Sequence, residues 1–378
     1  MSHSILHLCY DDPFIDNSRL DFETFYPGQN IFCVIPRPSI KKHLVKMKEA
    51  IWLKRGKPDI QMIQKICKEK SVDIIVLHGI DPDFLTILRS VNSKKSYRVF
   101  WLYYGNELYY ALGEKTDYPL MDNKSFFSFG SWIAPTKYNY WLRKILHKPS
   151  YYEMLEELLL HAGYFCFWLY EDYLLLKKYF NTNIEFRHFQ YNSSSRLTAK
   201  RMMPNYTKTP NEIRIGHSAS KTENQETIIK LISKIDKNNV YKKVFPLTYG
   251  STYYRSIVTK MGERFFGNQF CPILAHVSRE DYNRALSQTG VAIFGMNRQE
   301  AAGNIYPLLK SGAKVFLREN NVLLEHCRKQ GFLVFSVEKD LKCLDDLQPL
   351  TPEQMDYNSE IGWKNQVFSE DFMPQLFD

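Results

Sequence analysis

A chain of 378 residues with 44% hydrophobic residues is long enough for two ordinary domains and apolar enough to bury their cores, which excludes wholesale disorder. Its 50 Lys and Arg against 41 Asp and Glu leave a net charge of +9, the balance of a protein that meets an acidic partner: a nucleic acid, an anionic lipid or a phosphorylated small molecule. Seven scattered cysteines, with no CxxC and no Cys/His zinc spacing, exclude a zinc module and fit reduced, buried thiols in a cytosolic protein.

Along the chain, Ile5 to Cys9 reads as a strand that the N-terminus enters without a basic, apolar leader, and Ile31 to Ile35 reads as a second. Residues 58 to 69 carry apolar side chains at helical spacing, Val72 to Leu77 is a strand, Asp81-Pro82 opens a helix to Val91, and Arg98 to Leu102 is again a strand. Such alternation predicts a parallel sheet covered on both faces. Residues 122 to 160 break the rhythm as a basic, aromatic insertion. Alternation then resumes with a strand from Tyr164 and a helix from Glu171 to Phe180. The apolar stretch Leu158 to Tyr170 is too short to span a bilayer. Residues 190 to 211 are polar and aperiodic, a linker. Beyond them strands at 213–215, 244–247, 289–294, 313–317 and 333–335 alternate with helices at 224–235 and 302–311. The expectation is an α/β protein of two Rossmann-like lobes, residues 1–195 and 196–378, whose parallel sheets face a central cleft. The C-terminal tail is free to cross back to the first lobe.

Chemistry is expected at strand carboxyl ends, where doubly wound sheets bind ligands. Neither GxGxxG nor GxxxxGK[ST] occurs, which removes the usual support for dinucleotide and P-loop chemistry. Gly216-His-Ser218-Ala-Ser220 ends the first strand of the second lobe, and its small residues let backbone amides reach an anion. Arg298-Gln299-Glu-Ala-Ala-Gly303-Asn304 follows a strand and opens a helix, a fixed positive charge beside a helix N-terminus that suits a diphosphate. In the first lobe Glu107, among Trp101, Tyr103, Tyr104 and Tyr109, is positioned to accept a sugar hydroxyl proton, with His78 and Asp12 at neighbouring strand ends. Residues 124 to 152 hold five Lys/Arg, nine aromatics and no acid. Trp132 and a helical face with Trp141, flanked by Arg143, Lys144 and Lys148, suit an anionic membrane surface.

In order and spacing these patches resemble one family. Leu6-His7 with Asp12, His78-Gly79, Phe100-Trp101 and Gly105-x-Glu107-Leu-Tyr109 match in the first lobe. Gly216-x-Ser218 with Asn224, Pro246 to Tyr249, Asp281-Tyr282, Arg298-Gln299 to Gly303, Gly312 to Val315 and Arg318-Glu319-Asn320 match in the second. The chain is similar to the bacterial TDP-N-acetylfucosamine:lipid II N-acetylfucosaminyltransferases of enterobacterial common antigen synthesis. The resemblance implies a GT-B-type fold and transfer of a deoxy-aminosugar from a nucleotide diphosphate, TDP favoured, to a lipid-diphosphate-linked saccharide. It further implies work at the inner face of the cytoplasmic membrane, with no cofactor, metal or nucleic acid required. The donor would be held by Gly216, Ser218, Ser220, Tyr249, Arg298, Gln299, Gly303, Asn304, Glu319 and Asn320. Glu107, Asp12 or His78 would serve as base if the anomeric centre inverts. Two departures stand out: the longer insertion at 122–160, and Ala219 where the family has glycine in its Gly-x-Ser-Gly turn. A nucleotide-sugar 2-epimerase of the same architecture and a non-enzymatic nucleic-acid-binding protein are the alternatives. The first leaves the basic aromatic segment without a purpose, and the second lacks any RNP-like or helix-turn-helix pattern.

Overall fold

The structure is a computed structural model describing residues 3–37, 43–92, 96–122, 135–191, 193, 195–197 and 199–378, with backbone alone at 135 and 136. The chain forms two units: residues 1–116, 139–199 and 367–378 make the first, and 117–138 with 200–366 the second.

In the first unit the elements run β1 (Ile5–Tyr10), α1 (Pro13–Phe25), β2 (Asn30–Ile35), β3 (Ile51–Trp52), α2 (Ile60–Glu69), β4 (Ile74–His78), α3 (Pro82–Val91), β5 (Arg98–Leu102) and α4 (Glu107–Lys115). After α5 (Pro135–Ile145), which begins in the second unit, come α6 (Tyr151–His161), β6 (Tyr164–Phe167), α7 (Tyr170–Tyr179) and β7 (Glu185–His188). The strands form one parallel sheet in the order β3-β2-β1-β4-β5-β6-β7. β4 is buried along its whole length, which is why it reads as an unbroken apolar run rather than an alternation. Asp12, Asp59 and Asp81 cap α1, α2 and α3, accepting the amides of Phe14, Met62 and Asp83 that a helix start leaves unpaired.

The second unit repeats the plan. It has β8 (Glu212–Ile215), α8 (Gln225–Ile235), β9 (Lys242–Pro246), α9 (Thr252–Phe266), β10 (Phe270–Ile273), α10 (Arg279–Gln288), β11 (Val291–Ile293), α11 (Ala302–Lys310), β12 (Lys314–Leu317), α12 (Val322–Lys329) and β13 (Phe335–Ser336). Two further helices follow, α13 (Val337–Asp340) and α14 (Pro352–Lys364). Its sheet is parallel in the order β10-β9-β8-β11-β12-β13. In both sheets strand order reverses beside the first strand, between β1 and β4 and between β8 and β11, and such switch points open crevices at strand carboxyl ends.

Two segments lie away from their sequence neighbours. The tail 367–378, with α15 (Ser369–Phe372), buries Phe372, Met373, Leu376 and Phe377 against Phe22, Tyr26 and Phe100 of the first unit. At about 1.5–3 kcal/mol per buried side chain, this anchor contributes roughly 6–12 kcal/mol as an upper bound. Residues 117–122, inside the expected first lobe, instead bond to the second unit. Asp122 pairs with Arg318 and gives its amide to Asn224 Oδ1 at 2.9 Å, and Tyr118 donates to the Asn297 carbonyl at 2.7 Å.

Candidate functional site

At the switch point of the first unit, the end of β4 and the loops after β1 and β5 bring His78, Asp12 and Glu107 to the carboxyl end of the sheet. Gly79 has φ +90, and a β-carbon there would stand 2.6 Å from the Tyr104 ring and 3.2 Å from Glu107 Oε1. Only glycine lets Tyr104 and the carboxylate close over the end of β4. Glu107 sits in the first turn of α4 and is 5% exposed.

The other two proposed bases have different tasks. Asp12 caps α1 and pairs with Arg37, so its carboxylate is committed to holding the loop. His78 is fully buried with both ring nitrogens engaged: Nε2 lies 3.0 Å from His7 Nδ1, and Nδ1 lies 2.8 Å from the Tyr191 hydroxyl. The direction of this chain follows from Asn30, whose amide group donates to Glu23 and to the Tyr26 carbonyl, so that its oxygen accepts from His7 Nε2 at 3.1 Å. His7 Nδ1 therefore accepts from His78, and His78 Nδ1 accepts from Tyr191. Burial pushes both imidazoles down, His7 to about 3, and they stay neutral. The aromatics around Glu107 also divide. Trp101, Tyr103 and Tyr109 are fully buried core, with the Tyr109 hydroxyl donating to Asp172, whereas Tyr104 is only half-buried.

At the second switch point the turn after β8 is not an open anion seat. Glu223, fully buried, accepts the amides of His217 and Ser218 at 2.9 and 3.1 Å and the Ser218 hydroxyl at 3.3 Å, and it pairs with the His217 ring. Gly216 has φ +69, and a β-carbon would stand 2.7 Å from Glu223 Oε2, so this glycine admits the chain's own carboxylate rather than a phosphate. Ser218 and Gly216 are thereby structural. Ser220 bonds to Thr222 at 2.9 Å, and Thr222 donates to Glu300 at 2.8 Å.

Glu300 is the hub that sequence reasoning missed, although it lies inside the quoted motif. It pairs with Arg298 at 2.8 Å and lies 3.8 Å from His217 Nε2. Burial works against a charged His217, but Glu223 and Glu300 outweigh it and raise its pKa above the usual histidine value. Arg298 and Gln299 are buried at the foot of the loop, and Tyr249 is half-exposed beside His217, ring centroids 5.9 Å apart. Gly303 is exposed in the first turn of α11 with open space around it, and Asn304 accepts from the Tyr282 hydroxyl at 3.0 Å. Glu319 and Asn320 lie exposed after β12, where Glu319 pairs with Lys339 at 2.6 Å. Arg318, before them, is the anchor of the loop, bridging Asp122 and Glu338.

On α5, Tyr138, Trp141, Leu142 and Ile145 are exposed together, Trp141 by 58%. Lys144 and Lys148 are exposed, but Arg143 donates to the Pro149 carbonyl at 3.0 Å and lies over the Tyr151 ring, so it fastens the helix end. Trp132 lies outside the described residues. Among the described residues, no helix is long and apolar enough to cross a membrane.

The sequence matches no family model and no curated protein. Solved structures do match. The fold is similar to sucrose-phosphate synthase from Thermosynechococcus elongatus over 96% of this chain and 94% of that one, at TM-score 0.60 and 10% identity. It is similar to a glycosyltransferase from Rickettsia africae ESF-5 over 97% and 94%, at TM-score 0.59 and 9% identity. It is also similar to Anabaena HepE in complex with UDP and glucose over 100% and 96%, at TM-score 0.52 and 9% identity. The chain therefore has the two-sheet α/β fold of the GT-B type over nearly its full length.

Proposed function

We propose that this chain is a glycosyltransferase that takes a sugar from a nucleotide diphosphate. The family its sequence motifs resemble favours an N-acetylfucosamine-like deoxy-aminosugar on TDP and a lipid-linked saccharide acceptor in bacterial surface polysaccharide synthesis. The observation that carries the reading is the second switch point, where Arg298 and the open N-terminal turn of α11 at Gly303 share one sheet edge with half-exposed Tyr249. Helix-start amides and a guanidinium are the donors a departing diphosphate needs, supplying charge stabilisation as the bond to the anomeric carbon breaks. HepE, of the same fold, is described with UDP-glucose.

In the reaction proposed, an acceptor hydroxyl oxygen bonds to the anomeric carbon and the electron pair of the broken C–O bond leaves with the diphosphate. Where the anomeric centre inverts, Glu107 takes the hydroxyl proton. Gln299, Asn304, Glu319 and Asn320 are assigned to the nucleoside and sugar. The apolar face of α5, with Lys144 and Lys148, would dock on the anionic inner face of the cytoplasmic membrane and meet the lipid acceptor there.

Thermal stabilisation by TDP, UDP and GDP, with and without Mg²⁺, tests the donor site. A clear shift with one nucleotide, lost in Arg298→Ala, supports the reading. No shift with any of the three, alongside salt-sensitive binding of single-stranded nucleic acid, refutes it. For the membrane, co-sedimentation with anionic vesicles should fall in the double variant Trp141→Ser, Lys144→Glu, and unchanged binding would overturn the docking surface.

A further inference from the structure

The middle of β8 holds a charge that no part of the site described so far uses. Ile213 and Ile215 face the apolar core with Ile228, Ile232 and Val258, so Arg214 between them faces the opposite layer, towards α10 and α11. It is 3% exposed. Its Nη2 is fully buried without a hydrogen-bond partner, and the acid whose charge reaches it, Glu212 two residues earlier on β8, makes no hydrogen bond to that nitrogen. What it does have is the Tyr282 ring, whose centroid lies 5.1 Å from the guanidinium carbon, and the hydroxyl of that tyrosine holds Asn304 in the first turn of α11. Through Tyr282 the guanidinium is linked to the uncapped start of α11, where Ala301 takes φ +62 without a side-chain cap and Gly303 is open to solvent.

A buried guanidinium nitrogen with no acceptor is costly, and native structures keep such groups where something else completes them. A neutral aromatic face offsets only part of that cost. An anion entering over Gly303 would meet the first-turn amides of α11 from one side and Arg214 from the other, so that dipole and full charge act on the same group. We propose that Arg214 is a buried anion-binding residue of the second unit and that its ligand is the diphosphate of the sugar donor, with Tyr282 the side chain that covers it until the anion arrives. The identity of the anion rests on the glycosyltransferase reading; the anion site itself does not.

The test measures wild type, Arg214→Met and Arg214→Lys by thermal melting and by calorimetric titration with TDP, UDP, the matching nucleosides and inorganic pyrophosphate. Losing a charge-assisted contact is expected to raise the Kd for the diphosphate about 10- to 100-fold in Arg214→Met, with nucleoside binding unchanged. Arg214→Lys, which keeps the charge without the planar fork, is expected to fall between. Because a buried nitrogen without an acceptor is removed, ligand-free Arg214→Met should melt no lower than wild type. Should wild type bind a nucleoside diphosphate and Arg214→Met bind it equally well, the inference falls and the transferase reading stands. Should wild type bind pyrophosphate through Arg214 but no nucleotide, the anion site stands and the donor reading falls. A methionine variant that melts well below wild type would show that the guanidinium is satisfied within the fold, and would overturn the premise.

Discussion

Replacing Glu223 with alanine tests whether the turn after β8 is held from within. The carboxylate accepts two backbone amides, at 2.9 and 3.1 Å, together with the Ser218 hydroxyl, and balances the His217 ring, all in a region closed to water. Each buried amide left unpaired costs about 1–3 kcal/mol. Breaking a buried pair by removing one partner costs about 3–5 kcal/mol. The two overlap, because the same carboxylate serves both, so about 4 kcal/mol is expected rather than their sum. For a unit of this size that corresponds to a fall of about 8–16 °C in its melting transition. Differential scanning calorimetry reads it directly, and Glu223→Gln, which keeps an acceptor and loses the charge, should fall between. A drop of less than about 3 °C in the alanine variant would refute the view that Glu223 fills the seat.

Asp122 grips Arg318 through Nη1 and Nη2, at 2.8 and 3.2 Å, and meets Asn297 Nδ2 at 3.2 Å. Asp122→Ala should therefore release residues 117–122 from the second unit at a cost of about 2–3 kcal/mol, seen as faster amide exchange there. Unchanged exchange would refute the view that Asp122 holds this segment. His217 makes stability depend on pH. Its folded-state pKa is raised above 6.5, so its contribution is complete below 6.5 and is lost as pH rises through the raised value. Melting measured from about pH 6 to about pH 9 should decline more steeply in wild type than in His217→Gln, and parallel curves would count against the imidazolium pair.

The sequence by itself determined the alternation of strands and helices, because apolar runs and helical spacing are local: β1, β4 and β5 fall within a residue or two of where their patterns place them. The helices it did not place include α1, α4, α9, α10, α12 and α14; in α9, α10 and α14 the buried faces are narrow against long polar surfaces. The placing of Arg298 and Gly303 after a strand was legible too, since both follow β11 in sequence. What those side chains touch was not. Ser218 reads as an anion ligand until Glu223, brought round by the turn before α8, takes its donors. His78 reads as a base until His7 and Tyr191, 71 and 113 residues away, claim both its nitrogens. Arg214 reads as an ordinary strand residue until packing leaves its Nη2 buried without an acceptor. A motif states which groups the backbone offers at one place, but only packing across distant segments decides whether those groups face a ligand or one another.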